Sequence, residues 1–358
     1  MKPPSIKDIA QALGISIGSV DRALHERPDV SPITRARVLK KAEEIGYRPN
    51  LAARSLKLNR RLRIGVYFPR EIASFFDPLR SGVRTAASAL TGVNVELVYR
   101  TFPRLDEGDV ELLMAHDREK FDGILVAPGN PDRIGPTLNL LARRGIAVVC
   151  VASDVPRSKR LASVSADAHT SGAIAAELFA RTIPKTGHIA TITGELTTLD
   201  HAEKLRGLAA NLAIFAPHLS LLPAIESHEQ PKVAYRQAIA LLSRKPYPLG
   251  IYVSTANSIP VLRALEEKHL LGEVRLIATD LFHELVPYIE SGKVLATLYQ
   301  RPFAQGKTAL ELLLRYLLNN VAPDPVTRLA PHIILRSNLP LFTGYLSGAD
   351  DTTGTNVQ

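Results

Sequence analysis

The sequence carries a single cysteine, Cys150, and no long apolar run. One cysteine excludes an internal disulfide, and with it a fold stapled for an oxidising compartment. No uninterrupted apolar stretch approaches the roughly 18 residues that a membrane span requires. Residues 1–20 lack a secretory-type apolar segment, because Lys7, Asp8, Gln11 and Gly14 interrupt it. The expectation is a cytoplasmic protein with no membrane contact.

Signs of catalysis are also scarce. The ten histidines show no metal-ligand spacing, and His228-Glu229 and His283-Glu284 each lack the second histidine of a zinc-protease helix, so both pairs read as surface residues. Gly306-Lys307-Thr308 lacks the earlier glycine of a phosphate loop, since position 301 is Arg. No Gly-x-Ser-x-Gly motif occurs. Cys150, inside "IAVVCVA", reads as a small buried hydrophobe rather than a nucleophile. The chain is therefore expected to be no enzyme, with no catalytic residues, no metal and no cofactor.

What is present is an ordinary globular composition, 46% hydrophobic and 22% charged over 358 residues, enough for two or three compact units. The net charge of +9 is unevenly placed. Residues 1–63 hold 14 Lys/Arg against 6 Asp/Glu, while the other 295 hold 30 against 29. A basic head on a neutral body is the electrostatic footprint of an appended nucleic-acid-binding domain.

That head has helical punctuation. Ser5 and Asp8 form a capping-box-like start, Ile6, Ile9, Ala10 and Leu13 recur at helical spacing, and Gly14 ends the run. Ser16 can cap a second helix in which Val20 and Leu24 face inward with Ile17 and Arg22 outside. Ser31-Pro32 starts a third, carrying Val38, Leu39, Ala42 and Ile45 and stopping at Gly46. Three short helices with a tight turn between the first two make a helix-turn-helix arrangement. Pro49 prevents continuation, and Asn50 can cap a further piece too short to be stable alone.

From Arg63 the period changes. Apolar runs at 63–68, 95–100, 123–128 and 146–152 alternate with helical patterns at about 76–90, 107–118 and 132–144. A second series follows at 188–194, 219–227, 250–254 and 275–280, then 296–300, a helix at about 303–319, and 332–337. Near-continuous apolar strands between helices indicate parallel sheets covered on both faces. So many strands suit two βα lobes with a cleft better than one open sheet. The tail, 347–358, is expected to be disordered.

Two such lobes bind ligands where the loops at the carboxyl ends of their strands face each other. That rule selects Ser74, Phe75, Phe76 and Asp77, then Asn130 and Asp132, then Ser153 and Asp154. In the second series it selects Thr197 to His201, with Asp200 among them, Ser254 to Asn257, Asp280 and Gln300. Aromatic rings with carboxylates and amides suit a polyol.

"IKDIAQALGISIGSVDRAL", "VSPITRARVLKKAEEIGYRPN" and "ARSL" resemble, in order and spacing, the headpiece and hinge of the lactose-repressor (LacI) family of bacterial transcription regulators. From "RIGVYFP" onward the chain resembles that family's effector core, of periplasmic-binding-protein type I. The resemblance implies an α/β protein with an all-α helix-turn-helix headpiece (1–49), a hinge helix and linker (50–61), and a two-lobed doubly wound core (62–346). Its N-lobe is expected at about 62–162 and 292–322, its C-lobe at about 163–291 and 323–346. It further implies a homodimer, or a tetramer, on a near-palindromic double-stranded DNA operator, a repressor's role, and a small-molecule effector of carbohydrate type.

By position the resemblance makes Ile17, Gly18 and Arg22 the base readers, although glycine reads nothing there. Ser16, Ser19, Ser31, Thr34 and Tyr47 become phosphate contacts or caps. Asn50, Ala53, Leu56 and Lys57 become the hinge over the minor groove, with Leu56 as the wedge. The cores it resembles use an Asp and a Gln at the positions of Asp280 and Gln300 to chelate hydroxyls. They often carry an arginine where this chain reads Asp200, His201, Ala202, Glu203. Two other readings stand beside this one: a plain solute receptor, and an enzyme fused to a DNA-binding head.

Overall fold

The computed structural model describes residues 4–24, 29–45, 61–90, 93–115 and 119–346. Tyr47, Asn50, Ala53, Leu56 and Lys57, and the tail 347–358, lie outside the described residues. The chain divides into two compact units, an N-terminal helical one ending near Arg61 and an α/β one holding nearly all the rest.

The helical unit has three helices, α1 (Ile6–Leu13), α2 (Ile17–Leu24) and α3 (Pro32–Glu44). At the start of α1 the Asp8 carboxylate accepts hydrogen bonds from the Ser5 backbone N–H (2.6 Å) and hydroxyl (2.7 Å). Gly14 ends the helix at φ 64°, a conformation open to glycine without a Cβ penalty. Ser16 then caps α2 by accepting from the Ser19 N–H at 3.0 Å, and Ser31 caps α3 by accepting from the Thr34 N–H at 3.1 Å. Ile9, Ala10, Val20, Ala23, Val38 and Ala42 form the shared core. Leu39, expected inside, is 49% exposed. Val38 and Ala42, four apart, hold the inward stripe of α3, and a residue one step from Val38 is rotated about 100° away from it.

The α/β unit contains two sheets. The first orders as β12-β5-β4-β3-β1-β2, with β1 (Arg61–Pro69), β2 (Asn94–Phe102), β3 (Gly123–Val126), β4 (Ala147–Val151), β5 (Ala162–Ala166) and β12 (Val326–Leu329). The second orders as β13-β11-β10-β9-β6-β7, with β6 (Gly187–Thr193), β7 (Leu219–Leu221), β9 (Gly250–Val253), β10 (Arg275–Thr279), β11 (Ala296–Tyr299) and β13 (His332–Ile334). The two-residue β8 (Ile225–Glu226) pairs with β6, and β13 runs antiparallel to β11. Strand order reverses beside β1 in one sheet and beside β6 in the other, and such switch points open a crevice at the strands' carboxyl ends.

The lobe boundaries differ from the expectation. Strand β5, expected at the start of the second lobe, completes the first sheet, and β11, expected in the first lobe, lies in the second. The helix Pro302–Asn319 returns to the first lobe: a Cβ on Gly82 would lie 2.0 Å from the Phe303 carbonyl oxygen, and Gly123 abuts Leu313. The chain crosses again to place β12 in the first sheet and β13 in the second. Reading each lobe as two contiguous stretches missed β12 because "VTRL" is a short, half-buried edge strand with no apolar run. The run 219–227 is likewise not one strand but two fragments, β7 and β8.

Helix packing sets the depth of the crevice. Let α7 be Ala168–Thr182 and α8 be Leu199–Phe215. They cross where Gly172 faces the Lys204 backbone and Gly207 faces that of His169, each with room for no Cβ, since one would come within 2.0 Å of a carbonyl oxygen. Only glycine at both positions lets the two backbones touch, and that contact seats the first turns of α8 deep at the crevice floor.

Candidate ligand cleft and DNA-reading surface

Between the lobes lies a narrow cavity. The first lobe lines it with Ile72, Phe75, Phe76, Leu105, Ala152 and Ser153. The second contributes Asp200, His201 and Lys204 from α8, then Glu229, Ser254, Thr255, Ala256, Asp280 and Gln300 from the ends of strands. Phe75 and Phe76 meet edge to face at 5.0 Å, which fixes one apolar wall. Ile72, Ala152, Glu229 and Asp280 all hold positive φ, from 54° to 68°. Backbone held in that sparsely populated region by non-glycine residues clusters where strain serves a site.

Strand register brings the polar groups together. Thr279 lies opposite Leu298, so the residues that follow, Asp280 and Gln300, meet at the sheet's end. The Gln300 N–H donates to Asp280 Oδ1 at 3.1 Å and its amide NH2 to Oδ2 at 2.8 Å. The Gln300 amide oxygen in turn accepts from the Lys204 ammonium at 2.8 Å, which also donates to Asp200 Oδ2 at 2.6 Å and to the Ser254 carbonyl at 3.3 Å. Lys204 is 1% exposed. Burial acts most strongly and lowers its pKa, but the Asp200 charge and hydrogen bond, with Tyr252 and Asp280, together outweigh it and the net shift is upward. Asp280 is pushed up to about 6 by burial, which Lys204 and the Gln300 hydrogen bonds only partly offset.

A second buried pair lies alongside. His201 Nε2 stands 3.1 Å from Glu229 Oε1, and Glu229 Oε2 accepts from the Thr255 hydroxyl at 2.6 Å. Burial, the largest effect, opposes charge on both, yet the hydrogen bond between them and the surrounding charges together prevail: the His201 pKa is raised and that of Glu229 lowered.

The structure therefore brings Phe75, Phe76, Ser153, Asp200, Asp280 and Gln300 into one cavity and leaves four expected residues out of it. Asp77 points to solvent, its side chain 67% exposed and paired with Arg80 at 2.8 Å. Asp132 sits in the first turn of a helix capped by Asn130 and lines a separate outer pocket. Asp154 is held on two sides by Arg160. Asn257 stands behind Glu229, donating to it at 3.4 Å. A carboxylate at a strand's end is as readily consumed by a local cap or ion pair as by a ligand.

Two charged lining residues, Glu229 and Lys204, were missed, as were the apolar Ile72, Leu105 and Ala152. Glu229, taken for a surface residue, is 2% exposed; fusing β7 and β8 into one strand hid the fact that it follows a strand's end. Lys204 had a signal in its spacing, four residues after Asp200 on one helix face. Among the described residues no group of three or more His, Cys, Asp or Glu is placed to hold a metal, and no helix is long and apolar enough to cross a membrane.

In the helical unit, α2 buries Val20 and Ala23 and turns Ile17 outward, 50% exposed. The Arg22 guanidinium lies over Gly18: a Cβ there would sit 3.8 Å from Nη1 and 3.9 Å from Nη2. Ser16 and Ser19 share a hydroxyl–hydroxyl hydrogen bond of 2.9 Å, as do Ser31 and Thr34. Ser16, Ser19, Ser31 and Thr34 thus stand at the starts of α2 and α3, where backbone N–H groups and the helix dipole favour phosphate oxygens.

Comparison with known proteins agrees with both units. Residues 5–50 match the bacterial regulatory proteins of the lacI family, and residues 64–320 match a periplasmic binding protein domain. Catabolite control protein A of Priestia megaterium is 25% identical over 344 residues, covering 92% of this chain and 97% of that protein. The transcriptional repressor PurR of Aliivibrio fischeri is 26% identical over 351 residues, covering 94% and 98%. Among solved structures, a glucose-galactose binding protein from Geobacillus stearothermophilus superposes with a TM-score of 0.71 at 25% identity, covering 78% of this chain and all of that one.

Proposed function

Because this chain belongs to the LacI family of bacterial regulators, with a lacI-type DNA-binding domain ahead of a periplasmic-binding-protein core, we propose that it is a repressor switched by a small carbohydrate. A homodimer grips a near-palindromic operator in the cytoplasm, one headpiece per half-site. The observation that carries this reading is the union, in one chain, of α2's outward face with an inter-lobe cavity lined by paired aromatics and the Asp280–Gln300 couple. The lacI-type headpiece sets aside the plain solute receptor, and the named relatives are regulators rather than enzymes.

On the DNA side, Arg22 donates two hydrogen bonds to a guanine edge in the major groove and Ile17 packs on a thymine methyl. The hydroxyls of Ser16, Ser19, Ser31 and Thr34, with Tyr47, position the headpiece on phosphates. Asn50, Ala53, Leu56 and Lys57 form the hinge over the minor groove, with Leu56 inserted between base steps. On the effector side, Phe75 and Phe76 stack on a sugar face while Asp280 and Gln300 chelate adjacent hydroxyls. Closure around the sugar favours one lobe arrangement over another, and DNA affinity shifts by the difference in sugar affinity between the two.

The test is a selection of random or genomic DNA fragments by the full-length protein, followed by challenge of the bound complex with a panel of mono- and disaccharides. Enrichment of a near-palindrome, and a sugar that changes its occupancy, are expected. Failure to enrich any symmetric site refutes the DNA reading, and indifference to every sugar refutes the effector reading.

A further inference from the structure

Resting on the reading of the cavity as an effector site, we propose that the effector is a sugar or polyol bearing one protonated amine, seated between Asp200 and Ser153. The first ground is a count of charges that line the cavity. Three carboxylates, Asp200, Glu229 and Asp280, line it together with the buried Lys204 ammonium and the buried His201 ring. Glu229 is paired with His201, whose Nε2 stands 3.1 Å away and whose raised pKa favours the charged ring. That leaves Lys204 alone between Asp200, which it touches at 2.6 Å, and Asp280, which it reaches through the Gln300 amide. One negative charge in the cavity has no counterion, and a buried charge is costly unless paired. Burial raises Asp280 to about 6, and the Asp200 carboxylate adds to the rise.

The second ground is geometric and independent of that count. Asp200 is nine-tenths buried, and while its Oδ2 receives Lys204, its Oδ1 is sealed from solvent with no hydrogen-bond partner among the described residues. The Ser153 hydroxyl, on the opposite lobe, is in the same condition. Ser153 and Asp200 line both the inner cavity and a second pocket that adjoins it. An ionised carboxylate oxygen only accepts hydrogen bonds, whereas a serine hydroxyl can accept as well. A group that donates to both from between the lobes satisfies the pair, and an ammonium does so with the missing positive charge, through the stronger charge-assisted bond. A sugar hydroxyl would satisfy the geometry and leave the charge. A carboxylate or phosphate on the sugar would worsen both.

The experiment is calorimetry and thermal shift on the full-length protein with matched sugars: amino-glucose, amino-galactose and amino-mannose isomers, each against its hydroxyl parent, at a pH where the amine is protonated. At least one amino sugar is expected to bind about tenfold or more tightly than its parent. Asp200→Asn should bring that ratio towards one. Should Asp200→Asn fold poorly, Ser153→Ala, which only removes a hydroxyl, should lower the amine's advantage by about threefold to tenfold. Parents that bind as tightly as their amines across the panel, or a preference untouched by both variants, overturn the ammonium assignment while leaving a neutral sugar effector in place. Silence of every sugar, amino or neutral, overturns both.

Discussion

The Thr197 hydroxyl donates to Oδ2 of Asp106 at 3.2 Å, and this hydrogen bond joins the two lobes at the cleft's rim. Thr197 follows β6 in the second lobe, whereas Asp106 lies between β2 and the helix Asp109–Ala115 in the first. Asp106 is well anchored for this task. It holds φ 61°, its backbone presses on Gly129 where a Cβ would come within 2.1 Å, and Arg133 donates to both its carbonyl and its Oδ1. A hydrogen bond across the rim favours the lobe arrangement that makes it, and the expectation is that it slows opening of the cleft. Thr197→Val keeps the shape and removes the donor, at a cost of about 0.5–1.5 kcal/mol. Effector dissociation should quicken by roughly threefold to tenfold with little change in association, as stopped-flow fluorescence would read. An unchanged off-rate would remove this contact from the mechanism.

Lys204 is the keystone of the buried polar network, with Asp200 and, through Gln300, Asp280 dependent on it. Lys204→Met preserves most of the stem and removes the charge. It leaves Asp200 buried beside an uncompensated Asp280, and breaking a buried pair from one side costs about 3–5 kcal/mol. Urea unfolding of the variant should show that loss, and adding Asp200→Asn to Lys204→Met should restore part of it. A Lys204→Met midpoint equal to the wild type would mean that the lysine is not what holds the two carboxylates.

The His201–Glu229 pair predicts a definite pH profile. His201 has its folded pKa raised above 6.5 because the Glu229 bond and charge exceed the opposing effect of burial. Its contribution to stability is therefore complete below 6.5 and is lost as pH rises through the folded pKa. Glu229 has its folded pKa lowered from 4.5, so its contribution is present above 4.5 and is lost as pH falls through the folded value. The pair contributes fully between about 4.5 and 6.5. Asp280, raised from 3.8 to about 6, changes its contribution within 3.8 to 6, below the range where His201 discharges. Thermal midpoints should thus decline as pH rises above 6.5, and His201→Gln should flatten that decline whatever it does to the absolute midpoint. A slope unaltered by His201→Gln would assign the titration elsewhere.

Why some of this was legible in the sequence, and some not, follows from the range of the interactions involved. The headpiece is built from local signals: Ser5, Gly14, Ser16 and Ser31 each act within four residues, and each stands where its own chemistry puts it. The strands β1, β3, β4, β9 and β10 show as apolar runs because both faces of a parallel sheet are covered. What escaped is long-range. The membership of β5, β11 and β12 depends on which lobe the chain crosses to, and half-buried "VTRL" carries no mark of that. In the cleft, the rule of strand ends found Ser153, Asp280 and Gln300, but could not tell Asp280 from Asp154. Both are acidic and both follow a strand, and the difference is Arg160, six residues further on, which holds Asp154 on two sides.

Gly18 turns from an oddity of the recognition helix into a seat for Arg22. A glycine inside a helix costs about 0.5–1 kcal/mol relative to alanine, and here it leaves the surface over which the Arg22 guanidinium lies. The nearest atoms to a Cβ at position 18 are 3.8 Å away, so alanine fits without displacement. Gly18→Ala should therefore raise the headpiece's thermal stability while leaving operator affinity within about threefold. A longer side chain, as in Gly18→Leu, enters the volume of the guanidinium and should lower specific affinity. If Arg22 reads a base edge, as proposed, Arg22→Ala should cost about 1–3 kcal/mol on the selected operator and far less on scrambled DNA. Arg22→Lys, which keeps the charge and loses the two-pronged donor, should fall between the two. Fluorescence anisotropy at one fixed salt concentration separates these outcomes. Equal losses on operator and scrambled DNA would place Arg22 on the phosphate backbone and leave Ile17 as the sole reader on this face.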